Sequence, residues 1–183
     1  MKRLTPRCWL QKSIHWSLVF SFTSLLLSCN SNEIPIGSIS LNSRYTEEQP
    51  VLSGNGRFLA FISHRNGSHQ LLIYDLTEQR LVSTPGLNRP RAITESPSLS
   101  YTGRYIAYLT SDQGRPVVAL YDRATQKSQI ITPTYRGWVR NPGISPDGRY
   151  VVFETASRGQ WDIEVLDRGP NIELDIPSGA SVR

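Results

Sequence analysis

Cysteine is almost absent: the 183 residues hold two, Cys8 and Cys29, so residues 30–183 contain no thiol. No disulfide can form within them, and their stability must come from core packing. Histidine is scarce as well, with His64 and His69 the only two after residue 15. The longest apolar stretch, Ile14 to Leu27, has fourteen residues and is interrupted by His15, Trp16 and small hydroxyl side chains. That is too short to span a bilayer comfortably. A charge excess is also missing once its position is considered. The formal net charge is +5, but four of the twenty basic residues (Lys2, Arg3, Arg7, Lys12) fall in the first twelve positions, where there is no acidic residue. The rest of the chain carries 16 basic against 15 acidic side chains, which leaves no basic face for nucleic acid. Nowhere beyond the leader does an apolar pattern of period 3.6 persist, and no Gly-x-Ser-x-Gly elbow occurs.

The basic start followed by a fourteen-residue apolar core has the layout of an export signal. It ends in Leu26-Leu27-Ser28-Cys29, which resembles the bacterial lipobox. That resemblance implies acylation of the Cys29 sulfur, cleavage just before it, and a chain held to the membrane by several acyl chains where one would hold only marginally. Residues 1–28 are then a lipoprotein signal peptide, and Cys8 is discarded with it. Asn30 stands where enteric bacteria place Asp to keep lipoproteins in the inner membrane, so the resemblance leans toward the periplasmic side of the outer membrane.

Self-similarity organises the remainder. Pro50-Val-Leu-Ser-Gly-Asn-Gly-Arg-Phe58 recurs as Pro97-Ser-Leu-Ser-Tyr-Thr-Gly-Arg-Tyr105 and as Pro142-Gly-Ile-Ser-Pro-Asp-Gly-Arg-Tyr150, and Asp75, Asp122 and Asp167 repeat at the same two offsets. In each copy Gly-Arg leads into an apolar run, a polar turn and a second run closing at the repeated Asp. A third run then ends in proline: Leu81 to Pro85, Gln129 to Pro133, Ile172 to Pro177. With the short run around each repeat proline, this predicts four antiparallel strands per unit, every 45 residues or so, which is the pattern of propeller blades. The fold class expected is all-β: a partial propeller of three four-stranded blades at 49–96, 97–141 and 142–183. A linker at 29–48 precedes them, in which Ile36 to Leu41 has the spacing of an extra outer strand.

The stretch Pro-Gly-Ile-Ser-Pro-Asp-Gly-Arg-Tyr-Val-Val-Phe at 142–153 resembles the repeat of TolB-type β-propellers, periplasmic proteins that work with the Tol and Pal system. Related blades occur in the noncatalytic propellers of prolyl oligopeptidase-like enzymes. The resemblance covers residues 50–177 and concerns blade type, since the motif is a folding pattern. The first two copies depart from it, with Gly54-Asn55 and Tyr101-Thr102 in place of Pro-Asp. TolB proteins also carry an N-terminal α/β domain and six blades, which do not fit here. An open row of three blades is expected to leave two apolar faces bare, to be covered by a second copy, a partner propeller or the chain itself through the Ile36 to Leu41 stretch, and Val152 is expected on the inward face of the third blade.

Most candidate sites have a structural reading. Ser53, Ser100 and Ser145 precede a turn and serve its hydrogen bonding. The repeated Asp starts the turn between third and fourth strands, and Asn66-Gly67-Ser68, formally a glycosylation sequon, reads as a hairpin turn. His64 and His69 lack a repeating third ligand, so neither a metal nor another cofactor is expected. Arginine, however, stands six residues before each repeat proline, at Arg44, Arg91 and Arg136, in connections that also carry Arg89, Trp138 and Arg140. Glu48 and Glu95 occupy the place of Arg140 in the other copies. A loop face bearing charge and an aromatic is where repeat proteins bind. Arg44, Arg91, Arg136, Trp138 and Arg140 are therefore the expected binding residues for a protein or peptide. The alternative for the arginines is a bridge between blades through carboxylates. With no convergent acid, base or metal set, the sequence is read as a noncatalytic envelope lipoprotein that binds or scaffolds. Two alternatives stand beside it: a subunit completing a ring with another propeller, or with a second copy as a homodimer, and an accessory propeller of a hydrolase.

Overall fold

A computed structural model describes residues 40–112 and 114–176, all within the second of two compact units, Glu33–Arg183. Cys29 and most of the Ile36 to Leu41 segment lie outside the described residues. Three antiparallel sheets follow one another along the chain. The first has strands β1 (Glu47–Leu52), β2 (Phe58–Ser63), β3 (Gln70–Asp75) and β4 (Arg80–Val82) in sequential order. The second repeats this with β5 (Thr94–Leu99), β6 (Tyr105–Asp112), β7 (Arg115–Asp122) and β8 (Lys127–Ile130). The third has β9 (Val139–Ile144), β10 (Tyr150–Thr155) and β11 (Asp162–Asp167). Among the described residues the only helical element is a single 3-10 turn, Arg65–Gly67.

The repeated motif solves the same local problem three times. In each blade the serine Oγ accepts the amide of the aromatic five residues on: Phe58 N to Ser53 (2.9 Å), Tyr105 N to Ser100 (2.9 Å), Tyr150 N to Ser145 (2.8 Å). The glycines take left-handed φ values of +71°, +72° and +79° at Gly56, Gly103 and Gly148, a region costly for any side chain. The arginine after each glycine pairs with the aspartate eighteen residues further on: Arg57–Asp75 at 2.8 Å, Arg104–Asp122 at 3.2 Å and Arg149–Asp167 at 2.8 Å. Each aspartate also accepts amides of the turn it starts, from Thr77 and Glu78, from Ala124, and from Gly169. These repeated arginine–aspartate pairs lie within each blade and belong to the motif arginines, not to Arg44, Arg91 and Arg136, for which a bridge between blades is the alternative.

Side chains alternate across each strand, so one face of a blade meets the preceding blade and the other the following one. Phe58, Ala60, Ile62, Leu71 and Ile73 pack on Ile106, Tyr108, Ala119 and Tyr121, while Ala107, Leu109, Val118 and Leu120 pack on Val151 and Phe153. Adjacent motif turns are also hydrogen-bonded: Asn55 N donates to Tyr101 O at 2.9 Å and Tyr101 N to Pro146 O at 2.8 Å. The residue after the repeated aspartate crosses each junction. Arg123 lies 3.9 Å over the Phe58 ring and Arg168 4.2 Å over Tyr105.

Three expectations are corrected. The third blade has three strands among the described residues, because after Asp167 the chain turns through Gly169 (φ +89°) and Pro170. It then folds over the second and third motif turns: Asp175 accepts from the Thr102 amide and hydroxyl, its own amide donates to Asp147 O (2.9 Å), and Glu173 pairs with Arg104 (2.7 Å). The segment expected as a fourth strand is used as a strap. Second, among the described residues only one end face is bare. On the first blade Phe61, Leu72 and Leu81 are buried with Leu41 packed on them. The loop before β1 is tied down by the Arg65 guanidinium, which donates to Leu41 O (2.6 Å) and pairs with Glu47 (2.9 Å). Third, Val152, expected to face inward, points away from the second blade and is 39% exposed, with Ile163 at 69% and Val165 at 62%. Their counterparts one blade earlier, Val118 and Leu120, are 0% and 5% exposed.

Candidate functional site at the loop end of the arc

The motif turns gather at one end of the sheets, and the connections entering β1, β5 and β9 gather at the other with the β2–β3, β6–β7 and β10–β11 turns. This second, loop end holds the residues singled out from sequence. Arg44, Arg91 and Arg136 are all exposed, and among the described residues none forms an ion pair with a carboxylate. Arg44 donates to the Tyr45 hydroxyl (3.0 Å), and the Arg136 carbonyl accepts from Arg115 (2.5 Å). Trp138 is 65% exposed, unusual for so large an apolar surface. Arg140 is engaged within its own blade, donating to Glu154 (2.6 Å) and lying 3.9 Å over the Trp161 ring.

A cleft of about 220 Å³ opens between the second and third blades, lined by Ile93, Glu95, Leu109, Thr110, Pro116 and Trp138. Its floor is the buried end of β6, and its rim is Trp138 and the half-exposed Ile93. The lining is apolar apart from Glu95 and the hydroxyls of Thr110 and Ser111.

The inner strands explain how charged groups come to sit here. Each carries a bulge just before the repeat proline, where Gln49, Ser96 and Asn141 take φ values of +52°, +50° and +51°. The residue before each bulge is Glu48, Glu95 or Arg140. In the first blade His64 Nε2 lies 2.9 Å from Glu48, His69 Nδ1 lies 3.9 Å from Glu95, and the two imidazoles stack at 4.1 Å between centroids. Sequence reasoning had both histidines and both glutamates but did not join them, since Glu95 reaches His69 only across the blade junction. The one available signal was that Glu48 and Glu95 sit at equivalent repeat positions.

No nucleophile is assembled from the repeated serines, whose hydroxyls are committed to the motif turns at the opposite end. The clearest perturbations of titration are structural too. Burial would raise the Glu47 carboxyl, but hydrogen bonds from Ser43, Ser63 and Arg65 outweigh it and hold the group below the usual range. The Arg149 hydrogen bond holds Asp167 at about 2.

An all-β row of propeller blades, with its exposed apolar and cationic groups at the loop end, defines the class. In solved structures its fold is that of TolB-type blades. TolB from Acinetobacter baumannii superposes with a TM-score of 0.59 at 21% identity, over 70% of this chain and 31% of that one. A Clostridium novyi protein described as a conserved lipoprotein gives 0.50 at 11% identity, over 74% of this chain and 92% of that one. A puromycin-hydrolysing peptidase of Mycobacterium tuberculosis gives 0.52 at 15% identity, over 69% of this chain and 20% of that one. The chain thus spans about a third of the length of that TolB and a fifth of that of the peptidase. No family model matches the chain, and no curated protein is a significant match.

Proposed function

We propose that this chain is a noncatalytic lipoprotein of the bacterial envelope, anchored through Cys29, that binds a protein or peptide partner at the loop end of its blades. The observation that carries this reading is the cleft between the second and third blades, rimmed by Trp138 at 65% exposure and Ile93 at 49%. Arg91 and Arg136 stand beside it in the same connections, without carboxylate partners among the described residues. A partner offering an apolar side chain next to acidic groups would satisfy both sets, and large aromatics and arginine are the side chains that dominate such contacts. The leader with its lipobox-like end supports the envelope location. The test is a photoreactive amino acid placed at position 138 in the full chain in living cells, with position 55 at the opposite end as control. A discrete adduct from 138 and none from 55 is expected; adducts from 55 alone would end the proposal.

A second reading is favoured by the bare face of the third blade. There Tyr150, Val152, Ile163 and Val165 are exposed where the preceding blades bury theirs, and among the described residues β11 pairs only with β10. A further blade, from another propeller protein, would fit. A second copy docked head to tail fits less well, because its first blade carries Leu76 where the internal junctions use Arg123 and Arg168, and its outer face is already covered. A symmetric homodimer through two third blades is free of both objections.

A further inference from the structure

We propose that Glu48, His64 and His69 form a binding site for a divalent cation of the zinc class at the loop end of the first blade, with Glu95 of the second blade beside it. The donor atoms of Glu48, His64 and His69 lie within 4.8 Å of one another. Glu95 Oε1 stands 3.9 Å from His69 Nδ1. That separation is too long for a hydrogen bond, and Nδ1 of His69 is shielded from solvent with no hydrogen-bond partner. Two ligands each about 2.1 Å from one zinc ion are at most about 4.2 Å apart. The 2.9 Å and 3.9 Å pairs already meet that limit. No spacing within the trio is above 4.8 Å, an excess over that limit of at most about 0.6 Å, within reach of side chains that are all partly exposed.

The chemistry of the set agrees. Two imidazole nitrogens with carboxylate oxygens suit zinc, whereas calcium and magnesium take oxygen ligands. Glu48 and Glu95 bring two carboxylates to the neighbourhood of the imidazoles, a formal charge that one divalent ion would neutralise. The blade does not need the histidines for folding. The positions equivalent to His64 are Ser111 and Ala156, and those equivalent to His69 are Pro116 and Trp161. The third blade fills the Glu48 and His69 positions with Arg140 and Trp161, stacked at 3.9 Å. The histidines are thus an addition to the first blade, joined to a carboxylate of the second. A bound ion would fasten the β2–β3 turn to the inner strand β1, next to Glu95 and the cleft that it lines.

The test is calorimetric titration of the untagged full chain in detergent with zinc chloride. Cobalt(II) absorption serves as a second readout, and both are repeated for His64→Gln, His69→Gln and Glu48→Gln. Because the other blades do without these side chains, the variants should melt within a few degrees of the parent in the absence of metal. One site of micromolar affinity or better is expected. Each variant should bind at least tenfold more weakly, and zinc should raise the melting temperature of the parent only. Absence of zinc binding at micromolar concentrations, or binding unchanged in both histidine variants, would overturn the proposal.

Discussion

Truncating two neighbours on β10 should have very different costs. Phe153 is 1% exposed, faces the second blade among Tyr105, Leu109 and Val139, and meets the Tyr135 ring edge-on at 5.2 Å and 80°. Phe153→Ala leaves a cavity at a junction that cannot collapse without moving a whole sheet, and such changes cost about 3–5 kcal/mol. That is a large part of the roughly 5–15 kcal/mol that holds a domain folded. At about 2–4 °C per kcal/mol for a domain near 150 residues, the melting temperature should drop by roughly 6–20 °C. Val152, next in sequence, points the other way and is 39% exposed. Val152→Ala removes atoms that are already partly in water, at a face with no blade against it, and should cost less than about 1 kcal/mol. The assay is urea unfolding followed by tryptophan fluorescence, at submicromolar concentration so that association does not mask exposure. Equal costs would mean that the outer face of the third blade is covered within a single chain, and the assignment of faces would be wrong.

Other outcomes follow from the same contacts. Gly148→Ala should destabilise more than Gly56→Ala. Both glycines hold left-handed φ, costing roughly 1–2 kcal/mol for a side chain, but a Cβ at 148 would also run into the Tyr105 ring, whereas one at 56 meets nothing within 4 Å. Asp75→Ala removes a buried carboxylate that serves Arg57 and two turn amides and should cost about 1–3 kcal/mol by chemical denaturation; a neutral result would remove the repeated pair from the fold's supports. Glu47, Asp75 and Asp122 all have lowered pKa values in the folded state, and Asp167 lies at about 2. Their contribution is therefore complete above the unfolded value near 4 and is lost as pH falls toward 2. Acid unfolding should set in between those limits, and flat stability from pH 6 to pH 2 would contradict the pairing. Cys29→Ala should abolish acyl labelling in cells, and equal labelling would exclude the lipid anchor.

How much of this could be read from sequence depended on distance along the chain. The Ser-x-x-Gly-Arg-aromatic turns were legible because each is solved within about six residues and three times over. The partner of each motif arginine was nearly legible, since Arg57 and Asp75, Arg104 and Asp122, and Arg149 and Asp167 keep one spacing. The strap at Glu173 and Asp175 was not. Ile172 to Pro177 has the composition of the other fourth strands, and only contacts about 70 residues back, on Thr102 and Arg104, pull it off that course. That the stretch ending at Leu41 could cover an edge was legible from its spacing, but the tie that holds it there, Arg65 reaching the carbonyl of Leu41 across the blade face, was not. At the loop end the exposure of Arg44, Arg91, Arg136 and Trp138 followed from their place in the connections. The meeting of His69 with Glu95 needed the blade junction.

An arc with one sealed and one open end face is the central feature of the fold, and the second reading of function rests on it. Light scattering coupled to size-exclusion chromatography, on the chain from residue 30 without its anchor, tests it most directly. The account predicts a mass that rises above one chain between about 1 and 100 μM and returns to a monomer when Ile163 and Val165 are both replaced by Arg, since two uncovered β-strand faces of this size favour association. A monomer throughout that range, with amides of β11 protected from exchange as well as those of β3, would contradict it.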